Sequence, residues 1–221
     1  KIMIFVIVPA YNEGKRIGQV LSDLSSLPYR VVVVDDASTD DTFEVAQKYN
    51  VDVLRHRINR QQGAALQTGN QYALEAGADV IVHFDADGQF LVSEIKDIVA
   101  PIERGECDVV FGSRFLNKKS QLPTLKKYFI FPLGRLVNRT LLGVKLTDPQ
   151  SGFRAMTREV AQKVVIEQDG MAHCSEIVAK VHDHKFKIKE VPMTVIYHEF
   201  GQGFGGGLKI LKDLLFSKLT K

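Results

Sequence analysis

Short apolar runs that alternate with helical patterns constrain the fold of this 221-residue chain more than any other feature. Residues 2–8 form an unbroken apolar run, and a helical pattern follows it through Ile17, Val20, Leu21 and Leu24. Further runs occupy residues 31–34, 51–54, 80–84 and 108–111. Continuous apolar strands between helices are typical of a parallel sheet with helices on both faces. The sequence therefore predicts an α/β fold with a mostly parallel central sheet.

Polar clusters follow four of these predicted strands. They occupy residues 9–13, 35–41, 85–89 and 112–114. The carboxyl ends of parallel strands meet at one edge of a sheet, where ligands bind. Asp85 and Asp87 are two residues apart, so in an extended segment both carboxylates point to the same side and suit one divalent cation. An Asp-x-Asp pair also occurs in ordinary solvated loops, and it is the agreement of the four clusters that favours a site.

The side chains in these clusters are suited to a nucleotide. Asp36 and Glu13 can accept hydrogen bonds from a base or ribose, Tyr11 can contact a base, and Arg114 can neutralise phosphate charge. The carboxylate pair can hold a metal-bridged diphosphate. The chain has neither the Gly-x-x-x-x-Gly-Lys-Ser/Thr loop nor a Gly-x-Gly-x-x-Gly loop after its first strand, which excludes the common phosphate-loop classes.

Positive charge is concentrated in one part of the chain. No Asp or Glu lies between Val109 and Thr147, a stretch with eight cations: Arg114, Lys118, Lys119, Lys126, Lys127, Arg135, Arg139 and Lys145. Because the whole chain carries +3, the remainder carries −5. Apolar residues interleave with the cations and predict basic amphipathic helices, and residues 208–219 predict another. Nucleic acid, an anionic bilayer, a phosphorylated lipid or simply solvent would each suit such a surface.

Composition is that of one globular domain, with 45% apolar and 25% charged residues. No apolar stretch approaches the roughly 18 residues of a membrane-spanning helix. Cys107 and Cys174 are far apart, predict no disulfide framework and are compatible with a reducing cytosol. The histidines at positions 56, 83, 173, 182 and 184 lack ligand spacing, and we expect them to be structural or exposed.

Six motifs together resemble the family 2 glycosyltransferases, and are most similar to the dolichol-phosphate mannose synthase type. They lie at residues 9–13, 35–40, 59–65, 85–89, 112–114 and 147–154. The resemblance covers nearly the whole chain and implies a Rossmann-like GT-A fold with C-terminal amphipathic helices. It implies a single domain over residues 1–221, with a nucleotide-sugar half (1–112) and an acceptor half (113–221) that carries the basic helices.

The resemblance also implies site residues. Those expected to bind the nucleotide sugar are Pro9, Ala10, Tyr11, Glu13, Val34, Asp36, Asp85, Ala86, Asp87, Arg114 and His198. Those expected to bind Mg²⁺ or Mn²⁺ are Asp85, Asp87 and Gln89. Those expected to bind an acceptor phosphate are Arg114, Arg135 and Arg139, and the expected catalytic residues are Asp87, Arg114 and Asp148. Arg154 either contacts substrate or pairs with an acid beneath the site.

One departure from the mannose synthases concerns the donor phosphates. In those enzymes a Val-Pro strand is followed by an arginine and, six residues later, a lysine. After Val191 and Pro192, this chain has His198 and Phe204 at the two positions. Two fixed cations are thus replaced by at most one titratable group, which leaves the sugar and the nucleoside open.

The function implied is an inverting, metal-dependent transfer of a sugar from GDP-mannose or a UDP-hexose to a polyprenyl phosphate. A phosphate monoester is mostly a dianion at neutral pH and can attack without a base. A hydroxyl acceptor on a glycan or small molecule would need one, with Asp148, Asp87 and Glu176 as candidates. Alternatives from other classes are a sugar-phosphate nucleotidyltransferase and a non-catalytic binding subunit.

The partners that follow from this reading are a nucleoside-diphosphate sugar and a polyprenyl phosphate. We expect peripheral attachment to the cytoplasmic face of a membrane, with a membrane-anchor subunit as a possible further partner. We expect no nucleic acid, because the basic stretch alone would not explain the acidic pair at positions 85 and 87.

Overall fold

The structure is a computed structural model that describes residues 2–116 and 146–196. Seven strands form one sheet: β1 (Ile4–Ala10), β2 (Arg30–Asp35), β3 (Asp52–Arg55), β4 (Val80–His83), β5 (Val109–Ser113), β6 (Arg154–Thr157) and β7 (Ile188–Pro192). Six α-helices within these two ranges accompany them: α1 (Gly14–Leu24), α2 (Thr42–Ala46), α3 (Gln61–Glu75), α4 (Ile95–Glu103), α5 (Arg158–Lys163) and α6 (His173–Asp183). A 3₁₀ turn, Val92–Glu94, precedes α4.

The order of strands in the sheet is β3-β2-β1-β4-β6-β5-β7. Strands β1 to β4 are mutually parallel, and β7 is parallel to β5. Only β6 runs in the opposite direction among the described strands, and it pairs with β4 and β5. The predicted α/β fold with a mostly parallel sheet is therefore confirmed.

Two apolar cores cover the two faces of the sheet. Alternate residues of β1 divide between them: Val6 and Val8 pack with α1 and α4 on one face, while Phe5 and Ile7 pack with α3 and α6 on the other. The interior strands are buried on both faces, which is why they are apolar without interruption.

Strand β6 is the main element that apolar periodicity does not reveal. It is four residues long and begins with Arg154, which is fully buried. Because β6 is antiparallel, its first residue pairs with His83 at the end of β4 and with Phe111 of β5. The loop that enters β6 is thereby placed at the same edge as the carboxyl ends of the parallel strands.

The parts of the chain outside this description include most of the predicted basic amphipathic stretch and the predicted C-terminal amphipathic helix. Within residues 2–116 and 146–196, no helix is long and apolar enough to cross a membrane. Cys107 and Cys174 are both buried free cysteines.

Candidate active site

The candidate site lies at the edge where β1, β2, β4 and β5 end and β6 begins. Asp85 follows β4 directly, and its carboxylate is held from two sides. The Nε2 atom of Gln62, in the first turn of α3, donates a 2.8 Å hydrogen bond to Oδ1. A Cβ atom at Gly152 would lie 2.5 Å from Oδ2, so glycine leaves room for the carboxylate in its present rotation. Two segments distant in the chain therefore contact this one acidic side chain.

An aromatic cluster supports the loop that carries the acidic pair. Phe84 packs edge-on against Phe153 with ring centroids 5.5 Å apart, and Phe90 stacks on Phe153 at 5.3 Å. Within the loop, Oδ1 of Asp87 accepts the backbone N–H of Gln89 at 2.9 Å. The cluster brackets residues 85–89 at both ends, so the expected metal ligands stand on a packed base.

The electrostatics of this pair suit a divalent cation. Burial and the neighbouring Asp87 raise the pKa of Asp85 to about 7, although Arg154 and His173 act in the opposite direction. A carboxylate whose pKa is raised by a second carboxylate beside it is an oxygen donor that Mg²⁺ or Mn²⁺ would neutralise. No group of three His, Cys, Asp or Glu side chains in the described residues could hold a metal. A cation here would take its other ligands from Gln89, substrate phosphate or water.

Asp36, expected to contact the nucleoside, is deeply engaged in hydrogen bonds. Its Oδ1 atom accepts from Nδ1 of His56 at 2.7 Å and from the backbone N–H of Arg60 at 2.9 Å. Its Oδ2 atom accepts from the backbone N–H of Gln61 at 2.6 Å. The second ring nitrogen of His56 bonds to Thr68, 2.9 Å away. Asp36 thus fixes the start of α3, and its expected contact with the nucleoside stays a prediction.

The turn after β1 carries the other expected nucleotide contacts. Pro9 and Ala10 are buried at the end of β1, whereas Tyr11 is 48% exposed and available to a ligand. Asn12 has a φ of 56°, and its side chain accepts the backbone N–H of Thr39 at 2.9 Å. This bond ties the β1 and β2 loops together. Burial raises the pKa of Glu13, which Arg16 opposes from 3.4 Å.

Val34 and Ala86, the remaining expected nucleotide contacts within the described residues, are buried. Val34 is on β2, and Ala86 lies between the two acidic residues of the loop after β4. Both are therefore placed next to the expected contact residues Asp36 and Asp85.

Arg114 and Asp148 form an ion pair at the end of β5. Oδ2 of Asp148 accepts Nε of Arg114 at 2.7 Å and its backbone N–H at 3.2 Å. Asp148 is 1% exposed. The carboxylate of Glu190, on β7, accepts the backbone N–H groups of Thr147 and Asp148 at 2.9 and 3.1 Å. The sequence reading did not identify Glu190 as a support for this loop.

A buried polar cluster lies beneath the acidic pair. Arg154 donates through Nη2 to the carbonyl of Ser151 at 2.8 Å and to the sulfur of Cys174 at 3.3 Å. Nε2 of His173 lies 3.4 Å from the same sulfur. Burial raises the pKa of the Cys174 thiol, but Arg154 and His173 outweigh this and lower the pKa to about 6. Arg154 is thus a buried structural cation that holds the turn before Phe153.

The structure shows three residues at the site that the sequence did not predict there, and three predicted residues lie outside the described part of the chain. Gln62, His56 and Gly152 contact expected site residues, although His56 was expected only to be structural or exposed. The sequence signal for them was their position: Gln62 lies in the 59–65 motif, Gly152 lies in the 147–154 motif, and His56 lies shortly before the first of these. Arg135, Arg139 and His198 lie outside the described residues, so their predicted roles stay predictions.

Asp85→Asn is expected to stabilise the metal-free protein at about pH 8 and to have little effect at about pH 4.5. The folded pKa of about 7 exceeds the ordinary value of 3.8. The folded state therefore loses stability as the pH rises between these values, because the partly buried carboxyl group ionises beside Asp87. Asparagine removes that cost, roughly 2–4 kcal/mol at about 1.4 kcal/mol per pKa unit. Urea unfolding in EDTA measures it, and equal effects at both pH values would contradict the assignment.

Comparison with known proteins places the chain in a family. The sequence model of the family described as Glycosyl transferase family 2 matches residues 5–165. An uncharacterised protein of Methanocaldococcus jannaschii is 38% identical, over 98% of this chain and 92% of its own length. The UDP-N-acetylglucosamine–dolichyl-phosphate N-acetylglucosaminyltransferase of Methanococcus voltae is 34% identical, over 99% of this chain and 97% of its own length.

A further relative agrees with this placement, and a solved structure shares the fold. The dolichol-phosphate mannosyltransferase of Pyrococcus furiosus is 33% identical, over 97% of this chain and 61% of its own length. Glucosyl-3-phosphoglycerate synthase from Mycobacterium tuberculosis, in complex with Mn²⁺, UDP and glucosyl-3-phosphoglycerate, matches with a TM-score of 0.72. That match covers 96% of this chain and 78% of the other at 21% identity, which is a likeness of fold. The chain belongs to glycosyl transferase family 2 and is a glycosyltransferase with the GT-A fold.

Proposed function

We propose that this enzyme transfers a sugar, with inversion, from a uridine-diphosphate sugar to a polyprenyl phosphate at a membrane surface. The observation that carries the proposal is the acidic pair Asp85 and Asp87, held at the end of β4 between Gln62 and Gly152. In a family 2 glycosyltransferase this position suits the diphosphate of a sugar nucleotide and its divalent cation. The nucleotide-sugar half would be residues 1–112 and the acceptor half residues 113–221.

The hydrogen bonds of Asp36 favour uridine over guanosine. An ionised carboxylate offers about four lone-pair positions. Three are filled, two on Oδ1 by His56 and Arg60 and one on Oδ2 by Gln61. The remaining position suits the single imide N–H of uracil. Guanine presents two adjacent N–H donors, which a carboxylate engages best with both oxygens. The Methanococcus voltae relative is named for a UDP sugar, which supports this choice.

The chain's own residues bind and orient the donor. Asp85, Asp87 and Gln89 would hold Mg²⁺ or Mn²⁺, which when bound stabilises the charge of the departing nucleoside diphosphate. The turn that carries Tyr11 and Glu13 would enclose the nucleoside. Asp148 holds the Arg114 guanidinium at 2.7 Å, so its charge is fixed in place for a phosphate group.

The candidate general bases support an acceptor that brings its own negative charge. Asp148 is buried and paired with Arg114. Glu176 accepts the backbone N–H groups of Glu167 and Gln168 and pairs with Lys180 at 2.8 Å. Asp87 belongs to the expected metal pair. A lipid phosphate dianion can attack the anomeric carbon without deprotonation by any of them.

The proposed polyprenyl phosphate acceptor is supported by the charge distribution of the chain and by the names of its relatives. Two relatives are named for dolichyl-phosphate substrates. Arg114 stands at the start of the acid-free basic stretch, and Arg135 and Arg139 within it would gather the lipid phosphate. Basic residues interleaved with apolar ones would attach the enzyme peripherally to the cytoplasmic face of an anionic membrane, either alone or through a membrane-anchor subunit.

UDP together with Mn²⁺ is expected to raise the Tm more than GDP with Mn²⁺ or UDP alone. A ligand at 100 times its Kd adds about 2.7 kcal/mol of stability, which a thermal-shift assay resolves as several degrees. Asp85→Asn and Asp87→Asn are expected to lose the part that depends on Mn²⁺. If Mn²⁺ does not change the Tm shift caused by any nucleoside diphosphate, the proposed donor site is wrong.

Radiolabelled sugar is expected to enter an extractable polyprenyl phosphate, and not the matched polyprenol that lacks the phosphate. The physical reason is that only the phosphate supplies an ionised nucleophile at neutral pH. UDP-glucose, UDP-N-acetylglucosamine and GDP-mannose serve as donors, with at least a tenfold difference expected between the uridine and guanosine donors. Label in a water-soluble acceptor alone would refute the lipid-phosphate proposal.

Asp148→Asn is expected to lower kcat/KM by about 10²-fold, because the Arg114 guanidinium loses its fixed position. The acidic limb of the pH–rate profile should be unchanged if Asp148 only positions Arg114. If Asp148 instead acts as a general base, this limb disappears in the variant. The comparison of the two profiles therefore separates the two roles.

A further inference from the structure

The first turn of α3 reaches two expected ligand sites at once. Its backbone N–H groups at Arg60 and Gln61 donate to the Asp36 carboxylate, which fixes where the helix begins. The next residue, Gln62, is partly buried and donates from Nε2 to Oδ1 of Asp85 at 2.8 Å. The helix start therefore carries the donor that meets the acidic pair.

The surroundings of Asp85 make this bond decisive for its orientation. Gly152 has no side chain, and a Cβ atom there would lie 2.5 Å from Oδ2, so the glycine leaves space for the carboxylate in this rotation. The turn at Gly152 is itself held, because Arg154 donates to the carbonyl of Ser151 at 2.8 Å. The hydrogen bond from the Gln62 amide to Oδ1 therefore sets the rotation of the carboxylate that this space admits.

We propose that Gln62 is a positioning residue that orients Asp85 to receive the divalent cation, an inference that rests on the proposed metal-dependent function. One lone pair of Oδ1 is occupied by the amide, which leaves the other positions of the carboxylate for the cation shared with Asp87. A neutral amide suits this task better than Lys or Arg. It orients the carboxylate without adding a positive charge that would repel the cation.

The test is the affinity for Mn²⁺ itself. Gln62→Met keeps an unbranched side chain of similar length and good helix propensity but removes the donor. We expect Mn²⁺ to bind about tenfold more weakly, as is typical when a partner of a metal ligand is lost. Electron paramagnetic resonance of free Mn²⁺ during titration, with and without UDP, measures the dissociation constant.

Gln71→Met provides a matched control in the same helix. Gln71 is exposed, and its amide also donates to a carboxylate, that of Glu75, at 3.1 Å. The control should bind Mn²⁺ with the wild-type affinity. In activity assays, Gln62→Met should need about tenfold more Mn²⁺ for half-maximal rate, whereas its kcat at saturating Mn²⁺ should stay close to wild type.

The outcomes separate this inference from the proposed function. If Asp85→Asn loses Mn²⁺ affinity and Gln62→Met retains it, the positioning role is wrong and the metal site stands. If Asp85→Asn also retains wild-type affinity, the proposed metal site itself is wrong. Thermal unfolding in EDTA checks that each variant folds. Should Gln62→Met not fold, Gln62→Asn replaces it in the test, because its amide is one methylene too short to reach Asp85. It is likewise expected to bind Mn²⁺ about tenfold more weakly, and wild-type affinity would refute the positioning role.

Discussion

The antiparallel pairing of β6 with β4 and β5 is the constraint on which the site depends. A parallel strand in this position would deliver its preceding loop to the opposite edge of the sheet. Because β6 runs the other way, Arg154 pairs with His83 and Phe111, and the loop before it enters beside Asp85. Gly152 and Phe153 then pack against the acidic loop and its aromatic base. The site is therefore assembled from both halves of the chain.

Charge compensation distinguishes the acidic residues at this edge. Asp36 accepts from three donors, and Asp148 is paired with Arg114. Asp85 is different, since burial and Asp87 leave its pKa near 7. A raised carboxyl pKa beside a second carboxylate indicates a place for a cation, because structural acids are compensated within the protein. The contrast supports the assignment of Asp85 and Asp87 to metal and of Asp148 to positioning.

The same contrast bears on the acceptor. Asp148 and Glu176 are engaged in ion pairs and backbone hydrogen bonds, so neither is arranged as an available base. An acceptor that is already ionised fits such a site, and the acid-free basic stretch would attract it.

The sequence by itself determined the sheet, its polar edge and the family. Unbroken apolar runs indicate strands buried on both faces. The family motifs can be recognised from the order and spacing of residues along the chain, without any distance in the folded protein. Only the tertiary structure revealed β6, whose short segment begins with a buried arginine, and the roles of Gln62, His56, Gly152 and Glu190. These four residues could not be predicted for the same physical reason. Each acts through a contact with a residue far away in the chain, and local periodicity carries no information about such pairs.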